Sequence, residues 1–192
     1  IIFFVFLNFE NNFSELFLSL TSSISNVGFS LNNSPNNLSF VFLILVIIGG
    51  SFFSTSSGIR FLKIYSLFKY SINEILSYSR PKNIYINKHL FSKDTFKLDE
   101  IYKYFLSVIV FIISLLILTF LLTLSGIDFE SSFKLSILTI MNTVNSSMFG
   151  LGDFSFYDLH FMTKYYLIFF MIVGRLELLT LLIICKKFLF KN

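Results

Sequence analysis

The hydrophobic positions of the chain fall into two long runs and several shorter ones. Residues Tyr104–Leu124 form a run of 21 residues without a charge, which corresponds to about 31 Å of helix. That length matches a bilayer hydrocarbon core of about 30 Å. A second run of the same length covers Tyr165–Cys185. The pattern therefore predicts two membrane-spanning helices, within predicted helices 99–125 and 161–190.

A shorter apolar run ends at two glycines and a cluster of hydroxyl side chains. LSFVFLILVII, residues 38–48, has eleven residues, about 16 Å of helix or half a bilayer. The next ten residues read GGSFFSTSSG. A discontinuous helix near the midplane usually lies beside an ion or substrate path. We interpret 38–79 as a broken helix with an intramembrane loop at 49–58; the alternative is a flexible kink without a role.

Two stretches are too short to cross a membrane and too apolar for an ordinary outer loop. Residues 13–30 and 129–147 each contain about ten semi-apolar residues, followed by the polar turns SNVGFS and NTVNSS. A re-entrant pore helix fits this pattern, because its turn can present carbonyl oxygens that replace the hydration shell of a cation. Gly28 suits a backbone with positive φ. The alternative is an outer loop.

The two halves of the chain share this order of segments. A shift of 117 residues places Leu18–Gly28 over Leu135–Asn145, with matches at three positions. Further on, IGG at 48–50 lies over VGR at 173–175, with eight more residues inserted. The order of helix, re-entrant stretch, polar turn and helix predicts two repeats, at 1–79 and 99–192.

Basic residues predict the orientation of these segments. Nine lysines and arginines lie between Arg60 and Lys103, and three more lie in the C-terminal tail, whereas 8–39 has none. The positive-inside rule then places connection 80–98 and the C-terminus in the cytoplasm. The net charge of +4 therefore reflects topology in a lipid bilayer, and we expect no nucleic-acid partner.

Composition limits the chemistry further. Hydrophobic residues make up 55% of the chain, far more than a soluble domain needs. The single cysteine, Cys185, permits no internal disulfide, and the predicted topology separates His89 from His160. Since no catalytic or phosphate-binding motif is present, we expect neither an enzyme nor a cofactor. The start, IIFFVFL, lacks a methionine and is expected to be the tail of a helix that begins in a missing N-terminal part.

Arg175 is the main charged anomaly. It lies ten residues into the last apolar run, where a lone arginine costs about 2.5–3.5 kcal/mol on insertion scales. Glu177 is about 200° further round a helix, so the two side chains do not pair on one face. We prefer an arginine that faces a pore; an ion pair with a neighbouring helix is the alternative.

Four stretches resemble the C-terminal half of the TrkH family, in the Trk/Ktr/HKT superfamily of potassium-translocating proteins. They are IGGSFFSTSSGIRFLK, SRPKNIYI, LTLSGIDFESSF and FMIVGRLELLTLL, in the family's order along almost the whole chain. The resemblance implies an all-α membrane protein with repeated helix–pore loop–helix units around a potassium-channel-like pore. This chain would hold the last two of four repeats, and the N-terminal repeats would be missing.

The resemblance also implies specific site residues and partners. The potassium filter would comprise Ser25, Asn26, Val27, Gly28, Asn142, Thr143, Val144 and Asn145. The gate would comprise Gly49, Gly50, Ser54, Thr55, Ser56, Ser57, Gly58 and Arg175. Family members are homodimers with a cytoplasmic nucleotide-binding regulatory subunit of the TrkA type, in the bacterial inner membrane. Potassium would be the substrate, with no cofactor in this chain.

Three departures from the family pattern bear on function. NTVNSS replaces the family's N-V-G-P-G, so that Asn145 takes the place of a filter glycine; Ser56 and Ser57 replace two glycines of the gate loop; and SFF at 51–53 replaces small residues. The leading hypothesis is potassium uptake through a carbonyl-lined filter gated by the intramembrane loop. The alternatives are a degenerate pore subunit with an assembly role, and a sodium- or proton-coupled cation transporter.

Overall fold

The computed structural model describes residues 13–29, 38–49, 61–79, 98–144, 147–151, 154–157, 159–175 and 187. The described residues form helices and connecting turns. Their α-helices are α1 (Phe13–Ile24), α2 (Ser39–Ile48), α3 (Phe61–Ser79), α4 (Leu98–Leu124), α5 (Phe129–Met141) and α6 (Phe161–Arg175), with a short 3-10 helix at Ser147–Phe149.

Helix α4 combines a buried face with an apolar outer face. Phe111, Leu115, Leu118 and Leu122 recur at helical spacing and are buried. The outer face is also apolar, with the large exposed side chains Ile113, Leu116, Phe120 and Leu124. A helix that is hydrophobic all round is typical of a membrane span. Of the described helices, this one alone, over Glu100–Leu124, is long and apolar enough to cross a membrane.

Helix α5 lies at the centre of the packing. All residues from Leu135 to Met141 are buried, and the helix packs against α2, α4 and α6. Two of its buried hydroxyl groups are satisfied within the helix, since Ser136 Oγ donates to the Ser132 carbonyl and Thr139 Oγ1 to the Leu135 carbonyl, both at 2.7 Å. A short helix of this composition can therefore be buried on every side without an unpaired polar group.

The remaining elements surround this centre. α2 packs against α1, α5 and the 3-10 helix, α3 packs against α4, and α4 also contacts α6. Phe42 and Val46 of α2, with Met148 and Phe149 of the 3-10 helix, have no solvent-exposed area. The core therefore joins α2, from the first half of the chain, to segments of the second half.

The predicted break falls at the end of α2. The helix ends at Ile48, and Gly49 has an extended backbone with φ −60° and ψ 170°. Residues 50–58 of the predicted loop lie outside the described residues, as do most of connection 80–98, the stretch after Arg175 that includes Glu177, and the N-terminal tail.

Candidate functional site

Helix α1 ends in a left-handed turn at Asn26. The backbone N–H of Asn26 donates to the Ser23 carbonyl at 3.2 Å, and that of Val27 donates to the Ser22 carbonyl at 3.0 Å. Asn26 has φ +58°. These two bonds and the left-handed residue form a Schellman cap, for which asparagine is the usual choice after glycine. We call residues 22–29 the first cap segment.

Helix α5 ends in the same way at Asn142. Its N–H donates to the Thr139 carbonyl at 3.1 Å, and the N–H of Thr143 donates to the Leu138 carbonyl at 2.9 Å. Asn142 has φ +55°. We call residues 138–144 the second cap segment.

The matching caps give the register between the two segments. Each of the two Schellman bonds of the first segment has its counterpart 116 residues later, and Asn26 corresponds to Asn142. The shift of 117 inferred from sequence identities pairs Ser25 with Asn142 instead, and it is wrong for the cap segments. The three identities that favoured it do not follow the backbone hydrogen bonds. In the observed register the counterpart of Gly28 is Val144, and Asn145 lies outside the described residues.

The two cap segments meet through their backbones. The N–H of Val144 donates to the carbonyl of Val27 at 3.1 Å. Gly28 has the expected positive φ, at +81°, and a Cβ atom there would overlap the Val144 carbonyl and lie 2.7 Å from the Thr143 methyl group. Glycine is therefore required twice at this position, by its dihedral angle and by the approach of the other segment.

The side chain of each cap asparagine reaches the next helix. Asn142 Nδ2 donates to the Met171 carbonyl of α6 at 2.9 Å. The Asn26 amide, oriented with its nitrogen towards carbonyl acceptors, donates to the Val46 carbonyl of α2 at 3.1 Å and to the Ser23 carbonyl at 3.2 Å. Each amide thus joins the end of one helix to the following helix.

A glycine follows each of these acceptors by three residues. A Cβ at Gly49 would lie 2.6 Å from the Ile24 carbonyl oxygen, and a Cβ at Gly174 would overlap the Ile140 carbonyl. Ile24 and Ile140 are themselves counterparts in the register of the caps. The absence of a side chain therefore allows α2 and α6 to approach the ends of α1 and α5 closely.

The structure brings together most of the predicted filter residues. Asn26, Val27, Gly28, Asn142, Thr143 and Val144 lie at the meeting point, while Ser25 is exposed and its Oγ donates to the Thr21 carbonyl at 2.7 Å. Thr143 is buried, and its Oγ1 has no hydrogen-bond partner in the part of the chain that the structure describes. Both α1 and α5 direct their C-terminal ends here, where partial negative charge favours a cation.

The predicted gate is described only at its two ends. Gly49 contacts the first cap segment, and Arg175 is exposed at the end of α6. Gly50, Ser54, Thr55, Ser56, Ser57 and Gly58 lie outside the described residues. Sequence reasoning assigned no role to Gly174, Val46 or Met171. The overlay of IGG on VGR was the available signal, because it pairs Gly49 with Gly174.

The fold and these segments define a helical membrane protein in which two capped turns meet beside the C-terminal end of α2. Over residues 7–190 the sequence matches the TrkH family, described as cation transport protein. The chain belongs to this family.

Comparison with solved structures agrees with that assignment. The fold is similar to that of the potassium transporter TrkH from Vibrio parahaemolyticus, with a TM-score of 0.73 and 23% sequence identity. The similarity covers 90% of this chain and 36% of the transporter, so the chain spans little more than a third of that protein's length. No curated protein sequence matches the chain.

Proposed function

We propose that the chain forms half of a pore that carries potassium into the cell, as the last two of four helix–pore loop–helix repeats. The observation that carries the proposal is the meeting of two equally capped turns, joined by the bond between Val144 N–H and Val27 O. The convergent C-terminal ends of two short helices carry partial negative charge, which suits a dehydrated cation. Family membership supports cation transport as the activity.

Within this pore, residues 25–28 and 142–145 line the filter. Loop 49–58 and Arg175 form the gate beneath it. The two described ends of the gate support this assignment, since Gly49 packs on the first cap segment and Arg175 directly follows Gly174. The proposed assembly is a homodimer in the bacterial inner membrane, with a TrkA-type regulatory subunit.

One observation favours a second function, that of a degenerate pore subunit retained for assembly. Val144 occupies the position equivalent to Gly28 and carries a side chain that is 63% exposed. A bulky residue restricts the backbone angles that are available at a filter position. The direction of the carbonyl groups in a carbonyl-lined site depends on those angles. Such a subunit would join an assembly without conducting.

Complementation separates the two functions. The full-length protein is expressed in a bacterium that lacks its own potassium uptake, and growth at limiting potassium is measured together with uptake of rubidium. The pore proposal predicts growth and saturable rubidium uptake that exceed those of the empty vector. Normal membrane insertion without uptake would overturn it in favour of the assembly subunit.

A further inference from the structure

We infer that the side chains of Asn26 and Asn142 are positioning groups, which fix the filter backbone to α2 and α6. The inference rests on the proposed function and deepens it, because it separates the backbone that lines the path from the side chains that hold this backbone in place. It also gives Gly49 and Gly174 a shared role beside the two asparagines.

The side-chain hydrogen bonds of the two asparagines are the first support for this positioning role. The Asn142 amide donates to Met171 O at 2.9 Å, and the Asn26 amide donates to Val46 O at 3.1 Å. Each acceptor belongs to the α-helix that follows the cap segment along the chain, α2 for Asn26 and α6 for Asn142. A side-chain amide whose nitrogen donates to a carbonyl of the next helix holds the cap segment to that helix.

The second support is that the contacts around the asparagine are the same in both halves of the chain. Three contacts recur in both halves: the Schellman bonds at the asparagine, the amide bond to the next helix, and the close approach of a glycine to the carbonyl two residues before the asparagine. In each half the acceptor precedes the glycine by three residues, or about one helical turn. The same three contacts around Asn26 and Asn142 indicate that one arrangement holds both cap segments.

The asparagine anchors lie close in sequence to the backbone groups that meet, and this links them to ion selection. The carbonyl of Val27 is one residue from Asn26, and the N–H of Val144 is two residues from Asn142. The Schellman bonds hold only the end of each helix to itself, whereas the amide bonds and glycine contacts join the cap segments to α2 and α6. Loosening an anchor lets the carbonyls move apart, which weakens discrimination against a smaller cation.

Asn142→Gly in the full-length protein tests this idea directly. Glycine is the preferred residue at a Schellman cap, so the turn is retained while the amide bond to the Met171 carbonyl is lost. Rubidium and sodium uptake are measured at matched protein levels. The expected result is a folded protein whose rubidium-over-sodium ratio falls by about threefold or more, as the loss of one hydrogen bond allows. The matched control is Gly126→Asn, the reverse exchange at a left-handed residue with nothing within 4 Å, which should leave the ratio unchanged.

The outcomes are distinguishable. If the unmodified protein carries neither ion, the proposed function fails. If it does transport and Asn142→Gly keeps the original ratio, the positioning role is wrong. Asn26→Gly repeats the test in the first cap segment. If both variants fail to accumulate in the membrane while Gly126→Asn does, the asparagines serve folding instead of ion selection, and the inference is overturned.

Discussion

At the scale of single residues, two glycines with positive φ differ in what surrounds them. Gly28 and Gly126 share a left-handed backbone, with φ of +81° and +88°. A Cβ at Gly126 meets nothing, whereas a Cβ at Gly28 overlaps the Val144 carbonyl. The two glycines therefore have a similar φ but different surroundings.

This difference predicts the effect of Gly28→Ala. Each substitution costs about 1–2 kcal/mol of backbone strain, but only Gly28→Ala displaces the second cap segment. Rubidium uptake by the full-length protein should fall by about tenfold or more, because the carbonyls that we propose coordinate the cation move. Gly126→Ala serves as the control and should retain normal uptake. Equal uptake by the two variants would remove Gly28 from the cation path.

Arg175 supports a second prediction at this scale. Its exposed guanidinium stands directly after Gly174, and a unit charge about 6 Å from a cation costs about 3 kcal/mol at an effective dielectric of about 20. Arg175→Ala should therefore raise rubidium uptake into vesicles at matched protein levels, while Arg175→Lys keeps the charge and should not. Lower uptake by a folded Arg175→Ala protein would favour the alternative of an ion pair with a neighbouring helix.

At the scale of elements, the crossing of α5 and α6 depends on a single missing side chain. Gly174 is buried, and a Cβ there overlaps the Ile140 carbonyl. The overlapping atom belongs to the backbone of a buried helix, so it has little freedom to move away.

Gly174→Ala should accordingly destabilise the protein. Overpacking of this kind costs about 1–3 kcal/mol, although alanine is otherwise the better helix former. Thermal unfolding in detergent should show a lower midpoint for Gly174→Ala than for the unmodified protein. An exposed helical position provides the control, Ser71→Ala in α3, with a midpoint close to the original value. An unchanged midpoint in Gly174→Ala would mean that α6 is free to shift.

The same elements show what the sequence could predict. The apolar run at 38–48 predicted the end of α2 at the first glycine, and the short stretch at 129–147 predicted a short helix where α5 (Phe129–Met141) lies, because hydrophobic length and breakers act locally. The register between the halves was off by one residue. It depends on backbone hydrogen bonds around Asn26 and Asn142, and sparse identities do not report these. The anchoring by Val46 and Met171 uses main-chain carbonyls, which no residue type signals.

At the scale of the whole molecule, the distribution of charge predicts which side each segment faces. Helix α3 lies in the stretch between Arg60 and Lys103 that contains nine basic residues. The turns around the 3-10 helix lie in 126–163, where Lys134 is the only basic residue and is paired with Glu130 at 2.6 Å.

Cysteine labelling tests this orientation with two exposed serines. In a background without other cysteines, Ser155→Cys should react with an impermeant thiol reagent in spheroplasts, and Ser71→Cys should react only after the membrane is opened. Both positions are exposed, so a difference in labelling reports the side of the membrane and not burial. The reverse pattern would overturn the topology together with the pore-loop assignment.

The central position of α5 has a consequence for biosynthesis. The helix has 13 residues, too few to cross a bilayer, and α6, which covers one of its sides, leaves the ribosome after it. Truncation after Tyr157 should therefore leave an Ile140→Cys side chain open to a thiol reagent, whereas Ile140 is only 1% exposed in the described structure, with Gly174 of α6 against its carbonyl; protection in the truncated chain would contradict this. The final packing of α5 is therefore reached only after α6, which is synthesised later, lies against it.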